Sequence, residues 1–187
     1  SGMRRTALAL LALLVLAGCA PTAREPDRLA LVRVLGVDGG GPVALAGVCS
    51  GEGEDAPRGA AEGENFPVAL DRLPWSGQRE LAVTSVTWLI AGPDTDLEAL
   101  LLDLLREPEL GAAITVWLAP DGASAVLERC GDPVSDLELL VDEGIEAPTA
   151  AQAAAALAEG EGIRLPCVAE ENGQLVPRGE ALWQRTD

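Results

Sequence analysis

Residues 81–119 read LAVTSVTWLIAGPDTDLEALLLDLLREPELGAAITVWLA, and this stretch decides the fold class. It begins with a β-branched run over 81–91 and ends with a second run over 114–119, which predicts two strands. A strand, a helix that packs on it and a following strand are typical of a sheet covered by helices. The helix between the strands is indicated by leucines at the three-and-four spacing of one apolar face: Leu97, Leu100, Leu101, Leu104 and Leu105.

Residues that cap backbone groups indicate where the helices begin and end. Thr95 and Glu98 have the spacing of a capping box, so we expect the threonine to start the leucine-rich helix. Arg106 stands in its last turn, where a cation complements the helix dipole, and Pro108 is predicted to stop it. Three further helices are predicted, one over 121–129 and two at the capping-box pairs Ser135/Glu138 and Thr149/Gln152.

Two hairpins are predicted. The first joins apolar runs over 29–37 and 42–48 through Asp38-Gly39-Gly40-Gly41; no Gly-Lys-Ser/Thr follows, so we interpret the glycines as a turn and not as a phosphate loop. The second joins 163–169 to 174–176 through Asn172-Gly173, a strong hairpin signal. A last short strand with Leu182 and Trp183 is expected at the sheet edge.

Two segments remain between the first hairpin and the strand at 81–91. Residues 51–65 are acidic and glycine-rich without hydrophobic periodicity, which predicts a flexible excursion. Residues 66–73 are expected to form a short helix. The whole pattern predicts an α+β fold, a mixed β-sheet with helices packed on it, in a single domain over residues 29–187.

The first residues have the pattern of an export signal. Met3-Arg4-Arg5 is followed by an apolar run over 6–15, far short of the roughly 20 residues that span a bilayer. Leu16-Ala17-Gly18-Cys19 comes next and resembles a bacterial lipobox. We therefore predict a signal peptide over 1–18, with Ser1-Gly2 as a cloning remnant, and a tether over 19–28. Cys19 would carry a diacylglyceryl group with palmitate-like chains and anchor the protein to the extracytoplasmic face of a membrane.

Composition excludes several classes of function. Removal of Arg4 and Arg5 with the signal leaves eleven arginines against 30 acidic residues, a formal charge of −19 that repels nucleic acid. Lysine, histidine and tyrosine are absent, so the commonest general base, the imidazole metal ligand and Schiff-base chemistry are unavailable to this chain. Paired acids such as Glu107/Glu109 and Asp142/Glu143 are expected by chance among so many carboxylates. We therefore expect no enzyme, no metal site and no cofactor.

Cysteine and tryptophan are expected to pack in the core. Once Cys19 is lipidated, three cysteines remain, and an odd number at irregular spacing favours free thiols over a disulfide framework. Trp88 and Trp117 lie within predicted strands and are expected to be buried. The remaining cysteines are Cys49, Cys130 and Cys167.

Several stretches resemble the Ger(x)C spore germination lipoproteins. The run over 29–38, which ends Leu35-Gly36-Val37-Asp38, looks like the first strand of that family after its lipidated cysteine. The more specific match is the leucine helix that ends in LLREPEL at 104–110. The run IRLPCV at 163–168 is similar to the strand that closes the family's first domain. The motif residues, expected to be structural, are Gly36, Asp38, Arg106, Pro108, Glu109 and Pro166.

The resemblance implies a role in spore germination. Family members are the C subunits of nutrient germinant receptors, lipid-anchored on the outer face of the spore inner membrane beside integral membrane A and B subunits. Their first domain has a mixed sheet with helices and is regarded as non-enzymatic, and the present chain corresponds to that domain alone. Gly111 stands where the family commonly has a basic residue. We expect the chain to be monomeric when isolated.

An alternative of a different class is a free-standing lipoprotein that binds a small ligand in the cell envelope. A deep pocket lined by Trp75 and its neighbours would favour this alternative. A flat surface would favour a subunit that acts by protein contact.

Overall fold

Strand β1 (Leu29–Asp38) lies inside the sheet, and the other strands assemble around it. The computed structural model describes residues 29–51, 56–75 and 79–184. Within them the sheet order is β3 (Arg58–Gly63), β2 (Val43–Cys49), β1, β5 (Trp88–Ala91), β6 (Thr115–Leu118), β7 (Ile163–Glu171) and β8 (Gln174–Trp183), with β4 (Glu80–Ala82) beside the start of β1. β1, β5, β6 and β7 are parallel, whereas β2, β3 and β8 are antiparallel to their neighbours.

Helices cover both faces of this mixed sheet. The described residues form five: α1 (Phe66–Arg72), α2 (Leu97–Arg106), α3 (Ala123–Arg129), α4 (Pro133–Asp142) and α5 (Ala150–Ala158). α1, α2 and α5 bury their apolar side chains against one face, and α3 and α4 cover the other. The predicted α+β class, a mixed sheet with helices packed on it, is confirmed.

The leucine stripe of α2 packs as its spacing predicts. Four of its five leucines are buried in the core, and the fifth, Leu105, is partly exposed at the margin of the stripe. Trp88 and Trp117 are buried on the opposite face of the sheet, as expected. The Trp117 indole N–H donates to the Thr115 hydroxyl at 3.1 Å, so burial leaves that polar group satisfied.

The predicted cap of α2 is wrong. Asp96 is the N-cap, and its side chain accepts a hydrogen bond from the Ala99 amide at 3.1 Å. Thr95 lies one residue earlier, where its buried hydroxyl donates to the carbonyl oxygen of Val37 at 3.0 Å. Because Asp96 already caps the first turn, the Thr95 hydroxyl is available to tie the start of the helix to β1.

The later helices begin close to the predicted positions, with one change of cap. α4 is capped by Asp132, which accepts from the Ser135 amide at 3.1 Å, so the predicted Ser135/Glu138 box is wrong. The box of Thr149 with Gln152 at the start of α5 is confirmed, with both reciprocal hydrogen bonds present. α3 and α1 also form over the segments where helices are predicted.

The single strand predicted over 81–91 is divided into two. β4 pairs with Leu29–Leu31 of β1, and β5 pairs with Val34–Val37 of the same strand. Between the two pairings the β4–β5 side has three more residues than β1, and a 3-10 turn at Val83–Ser85 takes up this excess. The sequence lacks a Gly or Pro at this turn, so the interruption has no local signal.

The acidic, glycine-rich stretch is wrongly predicted as flexible in its second half. Residues 58–63 form β3, which pairs with β2 as the outermost strand. Its small side chains show no alternation, because an edge strand of Gly and Ala is held mainly by backbone hydrogen bonds. Residues 52–55 lie outside the described part of the chain.

Both predicted hairpins are confirmed. β1 and β2 pair antiparallel across the glycine turn, and β7 and β8 pair across Asn172-Gly173. Asn172 and Gly173 have φ of 54° and 84°, the left-handed region that a tight two-residue turn requires. Leu182 and Trp183 are not a separate strand, since β8 is continuous to Trp183 and forms the sheet edge.

Gly36 allows α3 to approach β1 closely. A Cβ at this position would lie 2.7 Å from the Cδ1 atom of Leu127, and the Leu127 side chain is fully buried. The close approach therefore depends on the missing side chain at the middle of β1.

We predict that Gly36→Val lowers the free energy of unfolding by about 1–3 kcal/mol, because the added atoms overpack the contact with α3. The matched control is Gly41→Val, since a Cβ at Gly41 meets nothing within 4 Å. Urea unfolding of both variants, followed by tryptophan fluorescence, measures the difference. Equal unfolding midpoints for the two variants would contradict this account of the contact.

Candidate functional site

An apolar cleft opens at the carboxyl ends of the parallel strands, the edge where open α/β sheets commonly bind ligands. Its volume is about 210 Å³, which is below the range of typical small-molecule pockets. The cleft lies between the residues that follow β5 and β6 and the outer strands β7 and β8. Its main lining residues are Gly92, Pro93, Pro120, Cys167, Ala181 and Trp183.

The hydroxyl and the thiol in this cleft are already engaged in hydrogen bonds. The Thr95 hydroxyl donates to Val37, as described above, and the Cys167 thiol donates to the Leu165 carbonyl at 3.8 Å. Burial raises the pKa of Cys167, so its thiol stays protonated at neutral pH. Of the described residues that line the cleft, none supplies a carboxylate or a cation, and the cleft is suited to an apolar group.

Asp38 lies next to this edge of the sheet and caps α3. Its two carboxylate oxygens accept hydrogen bonds from the amides of Ala123 and Ser124, each at 2.7 Å. A Cβ at Gly92 would lie 1.9 Å from one of these oxygens, so the carboxylate is enclosed by backbone. Asp38 is therefore a structural residue, because both oxygens are used to satisfy the first turn of a helix.

The motif residues at the end of α2 lie at the surface. The Arg106 side chain is 74% exposed, and its guanidinium is 3.7 Å from the Asp103 carboxylate, one turn back along the helix. Pro108 and Glu109 are both exposed beyond the end of the helix. The three residues are thus close together in the chain and open to a partner.

Pro166 lies within β7, apart from the other motif residues. It is buried and pairs with Glu180 of β8, immediately before a shift in the register of the two strands. Proline lacks the amide that a regular ladder would use, and a β-bulge is where a strand tolerates it. The next residue, Cys167, pairs with Leu118 of β6 and lines the apolar cleft.

The three cysteines in the described residues are free and buried, as expected. Burial raises the pKa of Cys49 to about 11. Burial and a hydrogen bond to Asp136 raise the pKa of Cys130 to about 12; its thiol lies 3.2 Å from the Asp136 carboxylate. Thiols that stay protonated are poor nucleophiles, so these cysteines act as small core residues.

Trp75 is 74% exposed at the end of a 3-10 turn, Leu73–Trp75, and is not enclosed in a pocket. Cys19, the predicted anchor, lies outside the described residues. Within 29–51, 56–75 and 79–184, no three His, Cys, Asp or Glu side chains are grouped so that they could hold a metal ion. In the same part of the chain, no helix has the length and apolarity needed to cross a membrane.

The chain matches no protein-family model, no curated protein and no solved structure. Its functional residues must therefore be argued from geometry and from the motif residues. Two features were missed by sequence reasoning: the apolar cleft, and Arg58, whose guanidinium donates to the carbonyls of Leu127, Cys130 and Gly131. A signal for the cleft was present, since Gly92-Pro93 and Ala119-Pro120 each follow a buried strand.

We predict that the buried thiols of the folded protein resist modification at pH 8. In the Cys19→Ala variant, which retains only the three buried cysteines, a chromogenic disulfide reagent should react more slowly than after unfolding, by about 100-fold at Cys49, because burial raises the pKa of that thiol from 9.0 to about 11 and so lowers its thiolate fraction. Native thiols that react as fast as unfolded ones would contradict their burial.

The same shifts predict a loss of stability at alkaline pH. The unfolded thiol ionises near 9.0, whereas burial holds the Cys49 thiol protonated to about pH 11. The free energy of unfolding should therefore be unaffected by these groups below pH 9 and fall between pH 9 and 11. Cys49→Ala should remove part of this fall, which urea midpoints at pH 8 and pH 10.5 would measure.

Proposed function

We propose that the protein is a non-catalytic lipoprotein subunit of a spore germinant receptor, anchored through Cys19 and acting by contact with integral membrane A and B subunits. The observation that carries this proposal is the position of the motif residues. Gly36 and Asp38 hold α3 on β1, and Pro166 stands at the bulge of β7. A motif made of such residues marks a shared scaffold, as the resemblance to the Ger(x)C lipoproteins implies.

The chemistry of the clefts supports a role in binding over catalysis. In the described part of the chain, no charged side chain lines the apolar cleft, and the cleft's Thr95 hydroxyl and Cys167 thiol are hydrogen-bonded within the protein. The described thiols are protonated and buried. General acid–base or nucleophilic catalysis needs an accessible group whose pKa is suited to the task.

A free-standing ligand-binding lipoprotein is the second candidate. The apolar cleft at the carboxyl ends of β5 and β6 favours it, because that edge is the usual ligand site of parallel sheets. Its small volume restricts a ligand to one compact apolar group. Binding of such a ligand to the purified protein, without any association with membrane subunits, would support this candidate over the first.

The anchor is tested by Cys19→Ala in sporulating cells that express the full chain. We predict that the variant leaves the membrane fraction and fails to restore nutrient-triggered germination to a deletion strain, because stable attachment needs the acyl chains on this residue. The matched control is Cys49→Ala, which changes a buried cysteine and keeps the anchor. Membrane attachment and normal processing of the Cys19 variant would refute the lipoprotein assignment.

The exposed motif at the end of α2 is tested by Arg106→Ala. We expect the free energy of unfolding to change by less than about 1 kcal/mol, because an exposed ion pair contributes little. We expect less of the A and B subunits to copurify with the variant in mild detergent. Arg164→Ala is the control, since Arg164 also forms an exposed pair, with Glu180 at 4.0 Å. A loss of several kcal/mol in Arg106→Ala would assign the residue a structural role.

A further inference from the structure

The chain between α1 and β4 lies at the end of the sheet where β1 begins. Leu73, the first residue after α1, is buried in the same core cluster as Val32. Its Cδ2 atom lies 3.2 Å from a Cβ built on Gly47. β4 then starts at Glu80, which is paired with Leu29, the first described residue of the chain. Trp75 and Arg79 therefore belong to the same end of the molecule as the start of β1.

This end combines exposed apolar surface with a cation. Trp75 is 74% exposed, the highest value among the large apolar side chains of the described residues, and Leu31 in β1 is 43% exposed. Arg79 is exposed four residues after Trp75 in the chain and lines a broad recess together with Leu31. Tryptophan with a neighbouring arginine is typical of surfaces that lie at the boundary between lipid and water.

The proposed anchor keeps this end close to a bilayer. The chain from Cys19 to Leu29 spans at most roughly 35 Å when fully extended. β1 has ten residues, so the opposite end of the sheet lies roughly 30 Å farther along the strand direction. A tethered surface meets the membrane at a high effective concentration, which favours even a small contact.

Local charge is compatible with a lipid surface although the whole chain is acidic. The mature protein has a formal charge of −19, which by itself keeps most of its surface away from anionic lipid. Arg79 supplies a cation at this end, and the tether sequence over 19–28 adds no net charge, because Arg24 and Arg28 are balanced by Glu25 and Asp27. The bilayer is therefore the occupant that fits both the position and the chemistry of this end.

We propose that Trp75, Leu31 and Arg79 form a membrane-contact surface in the headgroup region of the bilayer that holds the Cys19 anchor. The domain would then stand with β1 directed away from the membrane and the carboxyl ends of the parallel strands facing outward. This inference rests on the lipidation of Cys19 in the proposed function.

The test uses the full lipidated chain in phosphatidylcholine vesicles whose acyl chains are brominated near the headgroup, which quenches tryptophan fluorescence on contact. We expect vesicle-dependent quenching in the wild type and its loss in Trp75→Phe, whose exposed side chain makes the replacement tolerable for folding. The matched control is Trp183→Phe, which removes a half-buried tryptophan at the apolar cleft and should retain the quenching.

Flotation of the vesicles separates the two proposals. Protein that floats with the vesicles without quenching, or with quenching unchanged by Trp75→Phe, overturns the membrane-contact surface and leaves the anchor in place. Protein that does not float overturns the anchor and the surface that rests on it. Arg79→Glu reverses the charge of an exposed side chain. In vesicles that contain anionic lipid, this variant should show less quenching than the wild type, and equal quenching would count against a role for Arg79.

Discussion

The packing of α3 directly on β1 is the contact on which the rest of the arrangement depends. Gly36 leaves room for Leu127, and Asp38 at the end of the same strand satisfies the first amides of the helix. The other end of α3 is held by Arg58, which donates from β3 to its terminal carbonyls. Hydrogen bonds from a charged donor are stronger than neutral ones. The Arg58 side chain therefore links the edge strand β3 to the helix layer that contains α3.

This arrangement gives the two ends of the sheet different chemistry. At the carboxyl ends of the parallel strands, turns of glycine and proline leave a small apolar cleft whose hydroxyl and thiol are already hydrogen-bonded. At the other end, exposed Trp75 and Leu31 lie with Arg79 near the start of β1. α2 connects two parallel strands and so runs back toward that second end, which brings Arg106 to the same end of the sheet as Trp75.

How far the candidate site was predictable depends on the distance between the residues that form it. Gly36 and Asp38 were identified through a family resemblance, but their contacts with α3 join residues more than 80 positions apart and have no local signal. Arg58 was hidden because it stands in a stretch whose composition predicts flexibility. Arg106 was assigned to the right helix end, and its ion pair with Asp103 joins residues one helical turn apart on the same side of the helix.

The sequence by itself determined the fold class, the hairpins and most of the helices, since these follow from apolar periodicity and turn residues that act within a few positions. Tertiary structure decided which acid caps α2 and α4, why the run over 81–91 breaks into β4 and β5, and that residues 58–63 join the sheet. The caps depend on which of two nearby polar residues reaches the free amides of the helix. The strand break and the edge strand depend on register with β1 and β2, and register is set by pairing between distant segments, which the residues of one segment do not encode.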